Sequence, residues 1–232
     1  MFNRSLDKKY LNLNEFKYVH CNDVKNKKLN MEVITNYYDI KTTDILCKKI
    51  SDYNKVNINN ILLTNGGDSA IEYIMQHIKK NIKSSIIITP TYGYYNIILQ
   101  QHNIQITKSE KIANSDIIFI CNPNNPTGKK YTPYQLEKYI IKYPNMIFII
   151  DETYMDYLQL LDDYTYTCSN LIKYNNVFII KSFSKAFGLA GMRLGYIISN
   201  NNNIKNMTQN YNHKHVLEIT KHLGITIMDN LN

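Results

Sequence analysis

From about residue 40 onward, the hydrophobic pattern of this chain alternates between two kinds of segment. One kind is a short run of β-branched and other apolar residues, and the other is a longer stretch with apolar positions at helical spacing. Unbroken or alternating apolar runs mark strands, whereas recurrence every three to four positions marks an amphipathic helix. The pattern predicts strands at Ser85–Thr89, Ile104–Thr107, Asp116–Cys121, Met146–Ile150, Val177–Lys181 and Leu194–Ile198. It predicts helices at Thr43–Tyr53, Ser69–Lys80, Tyr94–His102, Pro133–Lys142 and Lys205–Leu223. Strands alternating with helices imply an α/β fold with a mostly parallel sheet flanked by helices. Several of the strands are apolar throughout, as expected when both faces of a sheet are covered.

The helix over Pro133–Lys142 has the clearest start. Thr132 can cap it, Pro133 stands at the first helical position where its missing N–H costs nothing, and Gln135 completes a capping box. The preceding loop, Asn122–Tyr131, is thereby pinned between a strand end and a helix start. Asn200 to Asn203 marks a turn or linker, and a polar amphipathic helix is expected after it. These boundaries divide the chain into an N-terminal arm over residues 1–40, a large domain over 41–203 and a C-terminal helix over 204–232. No internal repeat is present.

Composition narrows the functional classes. With 232 residues, 44% of them apolar and 20% charged, the chain can bury a substantial core. It contains no apolar run of about 18 residues, the length a membrane helix needs. The first residues, Met1 to Lys9, lack the apolar core of a secretory signal, so a cytoplasmic protein is expected. Cys21, Cys47, Cys121 and Cys168 lie far apart, which reads as buried thiols and not as a disulfide framework or a zinc site. The net charge of +8 comes from lysines scattered without a basic block, a pattern that suits anionic small molecules better than nucleic acid. His213, His215 and His222 do not have the spacing of a metal-ligand set, and no metal is expected.

The distinctive residues fall at the carboxyl ends of the predicted strands, where open α/β sheets build ligand sites. Gly66-Gly67-Asp68 precedes a helix, so its amides can approach an anion there, although a plain turn has the same composition. Tyr92 lies in Pro90-Thr91-Tyr92-Gly93-Tyr94-Tyr95, an aromatic loop that either packs in the core or offers a ring for stacking. Asn125 lies in the proline-bounded loop Asn122-Pro123-Asn124-Asn125-Pro126-Thr127-Gly128. Asp151-Glu152-Thr153-Tyr154 puts a carboxylate at the end of a buried strand, where it needs a partner. Ser182-Phe183-Ser184-Lys185 puts an amine at another strand end, and Arg193 follows between Gly191 and Gly195.

Asn-Asn-Pro-Thr-Gly, Asp-Glu-x-Tyr and Ser-x-Ser-Lys-x-Phe-x-Leu-Ala-Gly-x-Arg-x-Gly, in this order, resemble the motifs of fold-type I pyridoxal 5′-phosphate enzymes. The similarity is greatest to the histidinol-phosphate aminotransferase branch. The resemblance implies that Lys185 carries the cofactor covalently, that Asp151 pairs with its protonated pyridine nitrogen, and that Asn125 and Tyr154 bind its 3′-oxygen. It further implies that Tyr92 stacks on the ring and that the phosphate sits among Gly67, Asp68, Ser182, Ser184 and Arg193. Asn36-Tyr37-Tyr38-Asp39 is similar to a family segment whose tyrosine, here Tyr37, reaches the neighbouring subunit's cofactor, which implies a homodimer with shared sites.

The resemblance runs from about Leu11 to Asn203, over the family's arm and large domain. The small C-terminal domain that carries its substrate-gripping arginines has no counterpart in the sequence. Lys185, Asp151 and Tyr154 are the implied catalytic residues of an aminotransferase acting on an amine, expected to be phosphorylated, and a 2-oxo acid. Two alternatives share the motifs: a decarboxylase of an amino-acid phosphate, and a non-catalytic binding module on the same scaffold.

Overall fold

The computed structural model describes residues 39–78, 82–161, 163–210 and 216–231. Among these residues seven strands form one sheet: β1 (Ile61–Thr64), β2 (Ser84–Ile88), β3 (Gln105–Ser109), β4 (Ile117–Cys121), β5 (Ile147–Asp151), β6 (Val177–Ser182) and β7 (Gly195–Ser199). Their spatial order is β1-β7-β6-β5-β4-β2-β3. All neighbours from β3 to β6 pair in parallel, and β7 runs antiparallel to both β6 and β1. The helices are α1 (Ile40–Asn54), α2 (Gly66–Ile78), α3 (Tyr94–Gln101), α4 (Pro133–Lys142), the single turn α5 (Asp156–Gln159), α6 (Asn201–Asn210) and α7 (Glu218–Asp229).

Side chains alternate across the central strands, so each strand feeds two cores. Ile118, Ile120, Phe148, Ile150, Val177 and Ile179 face one core with Leu46 and Ile50 of α1, Leu136 and Ile140 of α4, and Ile227 of α7. Ile117, Phe119, Ile149, Phe178 and Ile180 face the other with Ile71 and Ile74 of α2, Tyr95 and Ile98 of α3, and Ile204 and Met207 of α6. Full burial of one such side chain stabilises the fold by about 1.5–3 kcal/mol. Double coverage therefore explains why β4 and β6 are apolar along most of their length.

One buried group interrupts the first core. Lys181 of β6 points away from the α2 side, and its Nζ lies 2.8 Å from Asp156 Oδ1 and 3.8 Å from Glu152 Oε2. All three side chains are 0% exposed. Lys181 also bonds Gln159, and Glu152 accepts from the Cys168 amide at 2.6 Å. Burial raises the pKa of both Glu152 and Asp156, and Lys181 opposes the rise. The cluster ties the end of β5, α5 and β6 together.

The predicted strands are shifted by no more than about one residue at most ends, and α4 begins with the expected reciprocal Thr132–Gln135 capping bonds. Three features depart from expectation. β1 was absent from the sequence pattern because its four residues follow a polar asparagine-rich stretch. The Asn200–Asn203 segment is a helix start and not a linker: Asn200 Oδ1 accepts from the Asn203 amide at 2.9 Å, and α6 begins at Asn201. The single helix expected over Lys205–Leu223 is two helices, with Leu217 extended ahead of α7. Two targets require the break: Ile204 and Met207 of α6 face the sheet, whereas α7 packs on α1.

Cys47, Cys121 and Cys168 are buried free thiols, and Cys21 lies outside the described residues. Among the described residues, no helix is long and apolar enough to cross a membrane.

Candidate active site

A cavity of about 380 Å³ opens at the carboxyl ends of β4, β5 and β6, beside the start of α2. Gly67, Asp68, Tyr92, Asn125, Asp151, Tyr154, Ser182, Ser184, Lys185 and Arg193 all line it. Every site residue singled out from the sequence therefore meets in one place, except Tyr37, which lies outside the described residues. Ile71, Cys121, Thr153 and Ala190 complete the wall.

Lys185 is presented by the turn that follows β6. Phe183 and Phe187 flank it in sequence, are 0% exposed, and pack ring against ring with centroids 4.8 Å apart. The Phe183 amide donates to Leu194 O, and its carbonyl accepts from Leu189, closing the turn at both ends. The Ser184 amide donates to Ser182 Oγ at 3.1 Å. With two phenylalanines anchored below, Lys185 is left on the cavity side, its Nζ 5.6 Å from the centre of the Tyr154 ring. Asn125 Nδ2 donates to the Tyr154 hydroxyl at 3.3 Å.

The loop carrying Asn125 is held at both ends. Buried Asn122 exchanges bonds with the Tyr131 backbone, donating at 3.1 Å and accepting at 2.8 Å. Asn124 donates to Pro90 O at 2.9 Å and accepts from Thr91 Oγ1 at 2.7 Å, which joins this loop to the one bearing Tyr92.

One end of the cavity suits an anion. Gly67 and Asp68 are in the first turn of α2, where backbone N–H groups are unpaired and the helix dipole is positive. Gly66 has φ +85°, and a Cβ there would come within 2.8 Å of Arg193 Nη2. The guanidinium thus lies against bare backbone, with Ser182 and Ser184 on the same wall. Arg193 itself has φ 50° and makes a 3.4 Å contact with Asp68 Oδ2.

The other end suits a cation. Asp151 is 5% exposed; its Oδ1 accepts from the Thr153 amide at 3.0 Å and Thr153 Oγ1 at 2.6 Å, and its Oδ2 accepts from Tyr95 at 2.7 Å. These three donors are neutral. Burial raises the Asp151 pKa, and the bonds from Thr153 and Tyr95 pull it back. The neighbouring Cys121 thiol is pushed up to about 12, first by burial and then by Asp151. An oriented carboxylate, an anion cradle and an amine lining one cavity suit a molecule that carries both a cationic and an anionic group.

Thr153 and Tyr95 were not singled out from the sequence. Thr153 follows Asp151 by two residues, the local pattern in which a carboxylate accepts from the backbone ahead of it. Tyr95 carried no comparable local signal.

A sequence profile described as aminotransferase class I and II matches residues 7–230. A dihydroxyacetone phosphate transaminase of Campylobacter jejuni is 34% identical over 201 residues, covering 78% of this chain and 53% of that protein. A histidinol-phosphate aminotransferase of Buchnera aphidicola is 33% identical over 207 residues, covering 82% and 56% respectively. The chain thus spans about half the length of these curated relatives. The solved structure of histidinol-phosphate aminotransferase from Sinorhizobium meliloti in complex with pyridoxal-5′-phosphate superposes with a TM-score of 0.79 at 18% identity, over 94% of this chain and 63% of that one.

Proposed function

The chain belongs to the class I and II aminotransferases, and from that premise we propose that it moves an amino group between a phosphorylated amine and a 2-oxo acid, with pyridoxal 5′-phosphate held at Lys185. The observation that carries this reading is the single cavity in which Lys185, Asp151 and the anion cradle converge. The residues fit the cofactor: a buried carboxylate with neutral donors matches a protonated ring nitrogen, and the α2 N-terminal amides of Gly67 and Asp68 with Arg193 on the same cavity suit a phosphate.

When bound, pyridoxal phosphate supplies a protonated conjugated ring that draws electrons from a carbon attached through nitrogen. Lys185 would hold the cofactor covalently, and its amine, once free, would take and return a proton as general base. Asp151 would keep a proton on the ring nitrogen of the cofactor. Asn125 and Tyr154 would bind its ring oxygen, Tyr92 would stack on it, and the Gly67 and Asp68 amides, Ser182, Ser184 and Arg193 would hold its phosphate. The net reaction would exchange the amino group of the donor for the carbonyl oxygen of the 2-oxo acid.

A phosphorylated substrate is supported by the names of both relatives, one naming an amine, histidinol phosphate, and the other a ketone, dihydroxyacetone phosphate. The proposal includes a homodimer in which Tyr37 serves the neighbouring subunit's site. It also includes a cytoplasmic setting, in keeping with the free thiols.

The test is borohydride reduction of the purified chain with added pyridoxal phosphate, peptide mass mapping, and a screen of amines beginning with histidinol phosphate. The expected result is label on Lys185 and conversion of amine to carbonyl. Lys185→Ala should abolish the label and lower turnover by at least about a hundredfold through loss of the base. Carbon dioxide released from an amino-acid phosphate would assign decarboxylation instead, and absence of label from the wild-type chain would overturn the proposal.

A further inference from the structure

Resting on Asp151 as the partner of a protonated ring nitrogen, we propose that Tyr95 is a positioning residue, holding the Asp151 carboxylate ionised and fixed at the cavity wall. Tyr95 lies in the first turn of α3, is 0% exposed, and donates to Asp151 Oδ2 at 2.7 Å. Its ring stacks on Phe119 of β4, with centroids 4.8 Å apart and planes 15° from parallel.

Phenylalanine would fill that space and keep that stacking, so packing alone does not call for the hydroxyl. The hydroxyl serves a carboxylate that lines the cavity. An ionised carboxylate has about four acceptor positions. Thr153 takes two on Oδ1 and Tyr95 one on Oδ2, which leaves a position on Oδ2 for a further donor.

Tyr95 also touches the cavity's aromatic cover. The Tyr92 ring meets it edge-on, with centroids 5.5 Å apart and planes at 87°, and the Tyr92 hydroxyl donates to Asp68 Oδ1 at 3.1 Å. Asp68 in turn contacts Arg193. One chain of contacts therefore joins the anion cradle, the stacking ring and the carboxylate, with Tyr95 as the link between the last two. The titratable groups acting on Asp151 are Asp68 from α2, Tyr92 from the loop after β2, Cys121 from β4 and Tyr95 from α3. Of these, Tyr95 holds the donated bond.

The experiment is a titration of Asp151 in the full chain without added cofactor, by NMR of carboxyl-labelled aspartate, with Asp151→Asn to assign the signal. Tyr95→Phe should raise the Asp151 midpoint by about one unit or more, the effect of losing a hydrogen bond to a charged group. Site-specific 3-fluorotyrosine at position 95, a stronger donor of nearly the same size, should lower it and guards against a Tyr95→Phe protein that fails to fold. Unchanged midpoints in both folded proteins would overturn the proposal. Lysine labelling by pyridoxal phosphate, measured on the same samples, separates the two readings. A midpoint shift without wild-type label supports the Tyr95–Asp151 coupling and removes the aminotransferase reading. Wild-type label without a midpoint shift keeps that reading and removes the role of Tyr95.

Discussion

Gly195 opens β7 opposite Thr64 of β1, and nothing larger fits there. A Cβ at this position would lie 2.7 Å from the Gly66 carbonyl carbon and 2.9 Å from its Cα. Both are backbone atoms and cannot swing aside. Gly66 is pressed from its other side by Arg193, so the start of α2 sits between a strand and a guanidinium. Gly195→Ala should cost about 1–3 kcal/mol, read as a lower urea midpoint, and should weaken pyridoxal phosphate binding because the displaced segment carries the anion-binding amides. Equal midpoints for the two proteins would show that the contact relaxes. Single residues were legible in the sequence to the extent that their chemistry was local. Lys185, Asp151 and Asn125 stood in compact motifs at strand ends. The work of Tyr95 depends on a partner 56 positions away, and only folding brings them together.

At the scale of elements, Lys181, Glu152 and Asp156 bind β5, α5 and β6 into one unit on the sheet face opposite the cavity. Removing the lysine leaves two buried carboxylates without their cation. Lys181→Ala should therefore cost about 3–5 kcal/mol at neutral pH. The folded-state pKa of both acids is raised, so the native protein holds protons that the unfolded chain releases, and stability falls as pH rises. Without Lys181 the rise is larger. The deficit of the variant should be small at acid pH and grow above about pH 4, where the unfolded carboxylates begin to ionise. Urea titrations at several pH values check this, and a pH-independent deficit would contradict it. The same elements show where periodicity is informative. Strands β4, β5 and β6 were plain because both faces are apolar. Strand β1 was too short to register, and the α6–α7 break was hidden because two helices docking on different surfaces can share one continuous polar-apolar rhythm.

For the whole molecule, the cavity draws its walls from the start of α2, the loops after β2 and β4, and the ends of β5 and β6. A ligand there bridges segments spread over most of the described chain, so it should stabilise the fold as one cooperative unit. Pyridoxal phosphate at about a hundredfold excess over its Kd should add about 2.7 kcal/mol. For a chain of this size that corresponds to a rise in Tm of several degrees, at about 2–4 °C per kcal/mol. Differential scanning calorimetry with and without cofactor tests it, and Lys185→Ala should show a smaller rise.

The placement of β7 between β6 and β1 also governs when this fold can be completed during synthesis. β2 to β6 can pair in parallel as they leave the ribosome, but β1, the first of the described strands to be made, pairs among them only with β7, the last of them. The glycine-rich turn that follows β1 must therefore wait, without its strand anchored, until almost every other part of the sheet has been translated. Such long-range pairing is slow to form, so the corner at the start of α2 is completed only after the other described strands have been made and needs protection until then.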